Sequence, residues 1–219
     1  MERMRVAFFG GTFDPIHRGH LRLATAAAEA FALDRVLFAP VGNQPLKRDA
    51  AIASYADRVA MAALALDSPG SEDATPSGEQ GRPAARFSVS TLDAPRADGS
   101  ANYTVDALAA LAVELPSAQI FTLAGADSFL DLRRWRSSDR LLELAEWIVA
   151  SRPEFPLTDD RLAPLALTGA QRARVHLLTT VHEAVSATEL RRRLRDGELC
   201  TGLLSPAVSA YIEAHRLYR

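Results

Sequence analysis

The chain has 219 residues, of which 48% are hydrophobic and 24% charged, with 25 basic side chains against 27 acidic ones and a formal net charge of −2. That length supports one sizeable core, read here as a single domain over residues 1–219, and the charge balance lacks the basic excess of a nucleic-acid binder. No apolar run is long enough to span a bilayer, so neither nucleic acid nor membrane is expected as a partner.

Short β-type runs alternate with longer Ala- and Leu-rich stretches of helical period. Arg5 to Phe9 predicts the first strand, and it is too short for the apolar core of a signal peptide. Gly10 and Gly11 break the run, Asp14-Pro15 signals a turn, and a helix is expected over Gly19 to Ala32. Arg35 to Pro40 predicts the second strand and Tyr55 to Leu66 the second helix. Ser68 to Ala85 holds three prolines and three glycines without one aromatic or large aliphatic side chain, and predicts a flexible surface insertion.

Phe87 to Leu92 is a less regular strand candidate, followed by a helix over Val105 to Leu115 and a strand over Gln119 to Ala124. Then come a helix over Asp139 to Leu144, strands over Glu146 to Ser151 and Arg174 to Thr179, and a helix over Thr188 to Asp196. A last helix is marked by Ser205 as its cap, Pro206 in its first position and an apolar stripe of Val208, Tyr211 and Ile212. His215 continues that stripe and reads as structural, as do His176 and His182, which have no motif around them. Cys200 is the single cysteine, cannot form an internal disulfide and has no base beside it, so it reads as structural in a reducing cytoplasm. The alternation predicts an α/β fold: a Rossmann-like, doubly wound parallel sheet with helices on both faces and a small C-terminal helical part over 186–219.

The stretch after the first strand carries the chemistry. Gly10 and Gly11 permit close approach and unusual backbone angles, and Thr12 adds a hydroxyl at the strand's carboxyl end, where open α/β sheets bind ligands. The following helix offers unpaired N–H groups and the positive end of its dipole to a phosphate, flanked by His17 and His20. Neither the P-loop pattern nor the dinucleotide fingerprint is present. Zinc is a rival for the two histidines, but no nearby cysteine or glutamate completes a tetrahedral set. Far along the chain, Ser186-x-x-Glu189 has the form of a capping box that starts a helix.

The string "GGTFDPIHRGH" resembles the HxGH nucleotidyltransferase superfamily, and within it the bacterial nicotinate-mononucleotide adenylyltransferases. The likeness continues, in the family's order, through "QPLK" (Gln44 to Lys47), "NYTVDAL" (Asn102 to Leu108), "GADSFLDLRRW" (Gly125 to Trp135), "SRP" (Ser151 to Pro153) and "VSATELR" (Val185 to Arg191). The resemblance implies transfer of the adenylyl group of ATP to nicotinate mononucleotide, with magnesium delivered by ATP and no metal held by the protein.

It further implies that His17, His20 and Arg191 stabilise the triphosphate, with Gly10, Gly11, Thr12, Ser186, Thr188 and Asp127 binding ATP. Trp135 resembles the residue that stacks on the pyridine ring, although it also suits a core position, whereas Trp147 reads as core. Backbone donors at Thr104 and Arg136 are implied to receive the nicotinate carboxylate, and Lys47 and Arg152 to contact phosphate. Three departures stand out: Leu46 where the family often has histidine, the insertion Ser68 to Ala85, longer than the usual connection, and Ala187 in place of a common serine. Preference for nicotinamide mononucleotide or another phosphorylated acceptor, and a nucleotide sensor without turnover, remain competing readings. A homo-oligomer is left open.

Overall fold

The computed structural model describes residues 3–44, 51–67, 84–151, 157–179 and 185–219. Six strands make one parallel sheet: β1 (Arg5–Gly11), β2 (Arg35–Pro40), β3 (Arg86–Val89), β4 (Gln119–Gly125), β5 (Glu146–Ala150) and β6 (Val175–Leu178), in the order β3-β2-β1-β4-β5-β6. The described helices are α1 (Arg18–Ala30), α2 (Tyr55–Asp67), α3 (Thr104–Glu114), α4 (Ala126–Leu130), α5 (Ser138–Leu144), α6 (Asp159–Leu162), α7 (Gly169–Arg172), α8 (Ala187–Arg195) and α9 (Pro206–Ala214). None of them is long and apolar enough to cross a membrane.

Strand side chains alternate between faces, and the inner strands β1, β2, β4 and β5 are covered on both, so they read as largely apolar runs, whereas edge strand β3 alternates exposed Arg86 and Ser88 with part-buried Phe87 and Val89. Ala7 and Phe9 of β1 enter one apolar cluster with Leu21, Ala24 and Ala28 of α1, Met61 and Ala65 of α2, Leu190 of α8 and Val208 and Ile212 of α9. Phe8, between them, enters the other cluster with Val105, Leu108 and Leu111 of α3, Phe129 of α4 and Leu141 and Leu142 of α5. The expected C-terminal helical part therefore shares its core with α1 and α2, and Tyr211 Oη donates to Asp57 Oδ1 at 2.9 Å across α9 and α2.

The chain moves outward from β1 to β3, then crosses back so that β4 pairs on the other side of β1. That reversal opens a crevice at the carboxyl ends of β1 and β4, the position where doubly wound sheets seat their ligands.

Some expectations change. β1 runs on through Gly11, and neither Gly10 nor Gly11 takes a positive φ; Phe13 does so instead, at 50°. β3 stops at Val89, short of Leu92. The short helices α4, α6 and α7 span too few residues to show a period in the sequence. His215 is the C-cap of α9 and is exposed, its ring stacked on Tyr211 at 3.9 Å, because the helix ends before the stripe can carry it inward. Of the predicted insertion, residues 68–83 lie outside the described residues, as does His182.

After β2, Gly42 packs against the loop that follows β3. A Cβ there would lie 2.5 Å from the Pro95 nitrogen and 2.7 Å from Asn102 Oδ1, backbone and a held amide that cannot give way. Gly42 N–H donates to the Asp93 carbonyl at 2.8 Å, and Asn43 N–H donates to Asn102 Oδ1 at 2.9 Å. We expect Gly42→Ala to destabilise the fold by about 2 kcal/mol through overpacking, read from denaturant unfolding; an unchanged midpoint would contradict this close approach.

Asp93 in the same loop is buried, and desolvation pushes its carboxyl up to about 6 against the opposing Asn102 hydrogen bond. The folded state then holds the proton more tightly than the unfolded chain. Stability from this group is fully present below about pH 4 and falls by about 2–3 kcal/mol as pH rises through about 6. In Asp93→Asn that decline should disappear, so the variant gains on the parent between acid and neutral pH in paired unfolding curves.

Candidate active site

The site starts where β1 ends. Past Gly11 the chain turns through Phe13 and the cis Asp14–Pro15 peptide, and Asp14 is 1% exposed. Its Oδ2 accepts the Ile52 N–H at 2.8 Å; its Oδ1 accepts the Ala53 N–H at 3.1 Å and the Tyr218 hydroxyl at 2.7 Å. A buried carboxylate needs such donors and a nearby cation. Arg58, 2% exposed, supplies charge nearby and donates through Nη1 to the carbonyls of Thr12 at 2.7 Å and Val41 at 2.9 Å. Burial pulls the Arg58 guanidinium below its usual pKa, with the Asp14 charge opposing that shift.

Neither role was read from the sequence, where Asp14 was assigned only to a turn. A signal for Arg58 existed: it lies three, four and seven residues before Met61, Ala62 and Ala65, on the buried stripe of α2, so a charge was assigned to an apolar face.

His17 is the N-cap of α1 and buried; His20 is the third residue of the helix. The His17 backbone N–H donates to His20 Nδ1 at 3.2 Å, which assigns the His20 ring proton to Nε2. The two rings stack at 3.7 Å, and the Phe13 ring meets His20 edge-on at 4.9 Å. His20 is therefore held as an Nε2–H donor beside the amino end of α1, with Nδ1 already engaged and unable to bind a metal. Thr12 Oγ1 donates to Gln44 Oε1 at 3.2 Å, joining the opening stretch to the one after β2. Gly10 and Gly11 flank aromatic rings: a Cβ would sit 2.8 Å from Phe8 Cε1 at the first and 3.0 Å from Phe13 Cζ at the second.

Ser186 caps α8, its Oγ accepting the Glu189 N–H at 3.1 Å. The reciprocal half of the expected capping box is absent. Glu189 turns instead to Arg192, at 2.8 and 3.0 Å, and to Arg193, at 2.9 Å, and these hydrogen bonds hold its carboxyl down to about 2. Two guanidinium groups outbid one backbone N–H for the carboxylate. The cap uses Ser186 Oγ as an acceptor only, and a hydroxyl engaged in that way keeps its O–H donor.

Arg191 points the other way. Its Nη1 donates to the Asp14 carbonyl at 2.7 Å and lies 3.9 Å from Asp14 Oδ2, while Nη2 donates to Thr188 Oγ1 at 3.2 Å. Positions separated by 177 residues in sequence thus meet at the mouth of the crevice.

A second grouping follows β3 and β4. Thr104 opens α3, whose N-cap Tyr103 makes no side-chain cap; the Asp106 N–H returns to the Tyr103 carbonyl at 2.9 Å, and the Thr104 and Val105 N–H groups have no side-chain cap. The Arg136 guanidinium lies over the Tyr103 ring at 4.6 Å, which brings the Tyr-Thr pair and the Trp-Arg pair together. Tyr103 was missed in the sequence as the residue that holds Arg136. Trp135 is half-buried, with one edge packed on the core residue Trp147 at 5.9 Å, and so combines an anchored edge with an exposed part. Trp147 is 1% exposed, as expected of core. Asp127 is exposed in the first turn of α4, immediately after β4. Lys47 and Arg152 lie outside the described residues. Among the described residues no three His, Cys, Asp or Glu side chains gather as a metal-binding group.

The chain is similar in sequence and in fold to known proteins. The family model for cytidylyltransferase-like proteins matches residues 8–193. A Thermus thermophilus protein named "Probable nicotinate-nucleotide adenylyltransferase" is 36% identical over 216 residues, 99% of this chain and 100% of its own. A Neisseria gonorrhoeae protein of the same name is 38% identical over 216 residues, 98% of each chain. In three dimensions the chain is similar to Plasmodium falciparum nicotinic acid mononucleotide adenylyltransferase complexed with NaAD, with a TM-score of 0.76 over 99% of this chain and 98% of that one. At 16% identity that likeness concerns the fold alone. With a matching family model across most of its length and full-length relatives above a third identity, the chain belongs to the cytidylyltransferase-like family, among its nicotinate-nucleotide adenylyltransferases.

Proposed function

We propose that the protein transfers the adenylyl group of ATP to nicotinate mononucleotide, giving deamido-NAD and pyrophosphate. The mononucleotide's phosphate oxygen attacks the α-phosphorus of ATP; a new P–O bond forms as the bond to the β-phosphate oxygen breaks and pyrophosphate leaves with its electron pair. Such a step needs no covalent enzyme intermediate, so catalysis consists of alignment and stabilisation of charge spreading over phosphate oxygens.

The observation that carries this reading is the meeting of Arg191 with the Asp14 carbonyl. It brings a cation of α8 to the loop that leads into α1, whose first turn holds His20 with Nδ1 engaged. Two helix ends, a guanidinium and an imidazole donor, with no nucleophile and base paired among the described residues, suit a triphosphate in transit. His17, His20 and Arg191 stabilise the charge, while Gly10, Gly11, Thr12, Thr188 and the helix end capped by Ser186 shape the seat, with Asp127 placed to accept from ATP hydroxyls.

The acceptor lies toward Thr104, Trp135 and Arg136. Trp135 offers a flat apolar surface to a pyridine ring. The open amino end of α3 and the positive charge of Arg136 favour a carboxylate over an amide, whose NH₂ would face further donors. Lys47 and Arg152 are assigned to phosphate on the sequence pattern.

Magnesium does not fit a site built by the described residues. Asp14, the carboxylate nearest the motif, is saturated by two backbone N–H groups and a hydroxyl. We place the ion on the triphosphate as part of the ATP substrate, and the protein in the cytoplasm.

Pyrophosphate release measured with ATP and each acceptor in turn tests the reading: kcat/KM for nicotinate mononucleotide should exceed that for nicotinamide mononucleotide by at least about tenfold. Preference for the amide, or no release with any mononucleotide, contradicts it. His20→Ala should lower kcat about a hundredfold, as for loss of one preorganised donor, while the variant keeps its unfolding midpoint; near-parental turnover in a folded variant would remove His20 from the charge-stabilising role.

A further inference from the structure

The transfer step above leaves Tyr218 without a role, yet the residue is built tightly into the site's support. It is 4% exposed, its backbone φ of 63° is in the left-handed region, and its hydroxyl donates to Asp14 Oδ1 at 2.7 Å. The other two donors to Asp14, the Ile52 and Ala53 N–H groups, belong to the segment before α2. Tyr218 is the donor contributed from beyond α9, and it shares the carboxylate with the catalytic cation: Arg191 Nη1 is 2.7 Å from the Asp14 carbonyl and 3.9 Å from Oδ2.

We propose that Tyr218 is a positioning residue for Arg191, acting through Asp14. Satisfied by three neutral donors, the Asp14 carboxylate leaves Arg191 at the longer 3.9 Å separation, with Nη1 on the carbonyl and Nη2 on Thr188 Oγ1. The remaining guanidinium donors are then available to a phosphate. Without the hydroxyl, a buried carboxylate lacks one donor, a costly state that draws in the nearest adaptable cation. That cation is Arg191, 19% exposed, whereas Arg58 is tied to two carbonyls. Arg191 would close on Oδ2 and withdraw from the triphosphate. Burial and the Asp14 charge hold the Tyr218 hydroxyl's pKa far above its ordinary value, so it stays a donor throughout the working pH range.

The inference rests on the reading that Arg191 acts on the triphosphate, and a double-mutant cycle separates the two. Tyr218→Phe, Arg191→Ala and the pair are compared for kcat and KM of ATP, with the unfolding midpoint of each recorded. The expected result is an about tenfold fall in kcat for Tyr218→Phe in the parent and less than about twofold in the Arg191→Ala background. Equal losses in both backgrounds, or parental kcat in Tyr218→Phe, overturn the positioning role while leaving Arg191 in place. Parental kcat in Arg191→Ala overturns the triphosphate reading and this inference with it. Should Tyr218→Phe fail to fold, Tyr218→Met, which fills apolar space without the hydroxyl, enters the same cycle.

Discussion

The buried carboxylate of Asp14 is the constraint around which the site is arranged. An ionised group at 1% exposure is tolerated only when its oxygens are saturated and a cation is near. Meeting those demands draws in the backbone ahead of α2, the Arg58 side chain on the buried face of α2, the Tyr218 hydroxyl and, at longer range, Arg191. Each partner comes from a different part of the chain. The loop between β1 and α1 is thereby held from beneath by polar contacts that few alternative conformations could reproduce, and the donors above it inherit that rigidity.

The parallel sheet explains why this support lies where a ligand can use it. Strand carboxyl ends and helix amino ends alternate along one edge, and the reversal of strand order between β1 and β4 opens that edge at one place. The amino end of α1 with His20, and Arg191 of α8, then adjoin the same opening loop, with no metal-binding group of acidic side chains among the described residues. Elsewhere the chain carries the start of α3, without a side-chain cap, and the Tyr103–Arg136 contact. A site made of donors held by a rigid frame suits a reaction in which negative charge shifts among phosphate oxygens and no side chain is consumed.

Much of this was legible in the sequence for local reasons. The inner strands were visible because burial on both faces makes them largely apolar, and the α8 start because Ser186 precedes a helical period. The opening motif pointed to phosphate through residue types, and the closing one only through its likeness to the family. What failed also failed for physical reasons. The capping box at Ser186-x-x-Glu189 was half realised because Arg192 and Arg193 compete for the same carboxylate. His215 left the apolar stripe because the helix ends at Ala214. Gly42 looked like any loop glycine, since the atoms that exclude a side chain there belong to Pro95 and Asn102.

By itself, then, the sequence determined the alternation of strands and helices, the two phosphate-facing motifs and the residues able to donate to a nucleotide, because periodicity, capping and hydrogen-bonding capacity are local properties. Only the tertiary structure decided that Asp14, in its expected turn, is also a buried hub, that Arg191 meets the opening loop across 177 positions, and that Tyr218 belongs beneath the site. Those are consequences of burial and long-range approach, which set the cost of a charge and the identity of its partners and leave no mark at any single position of the chain.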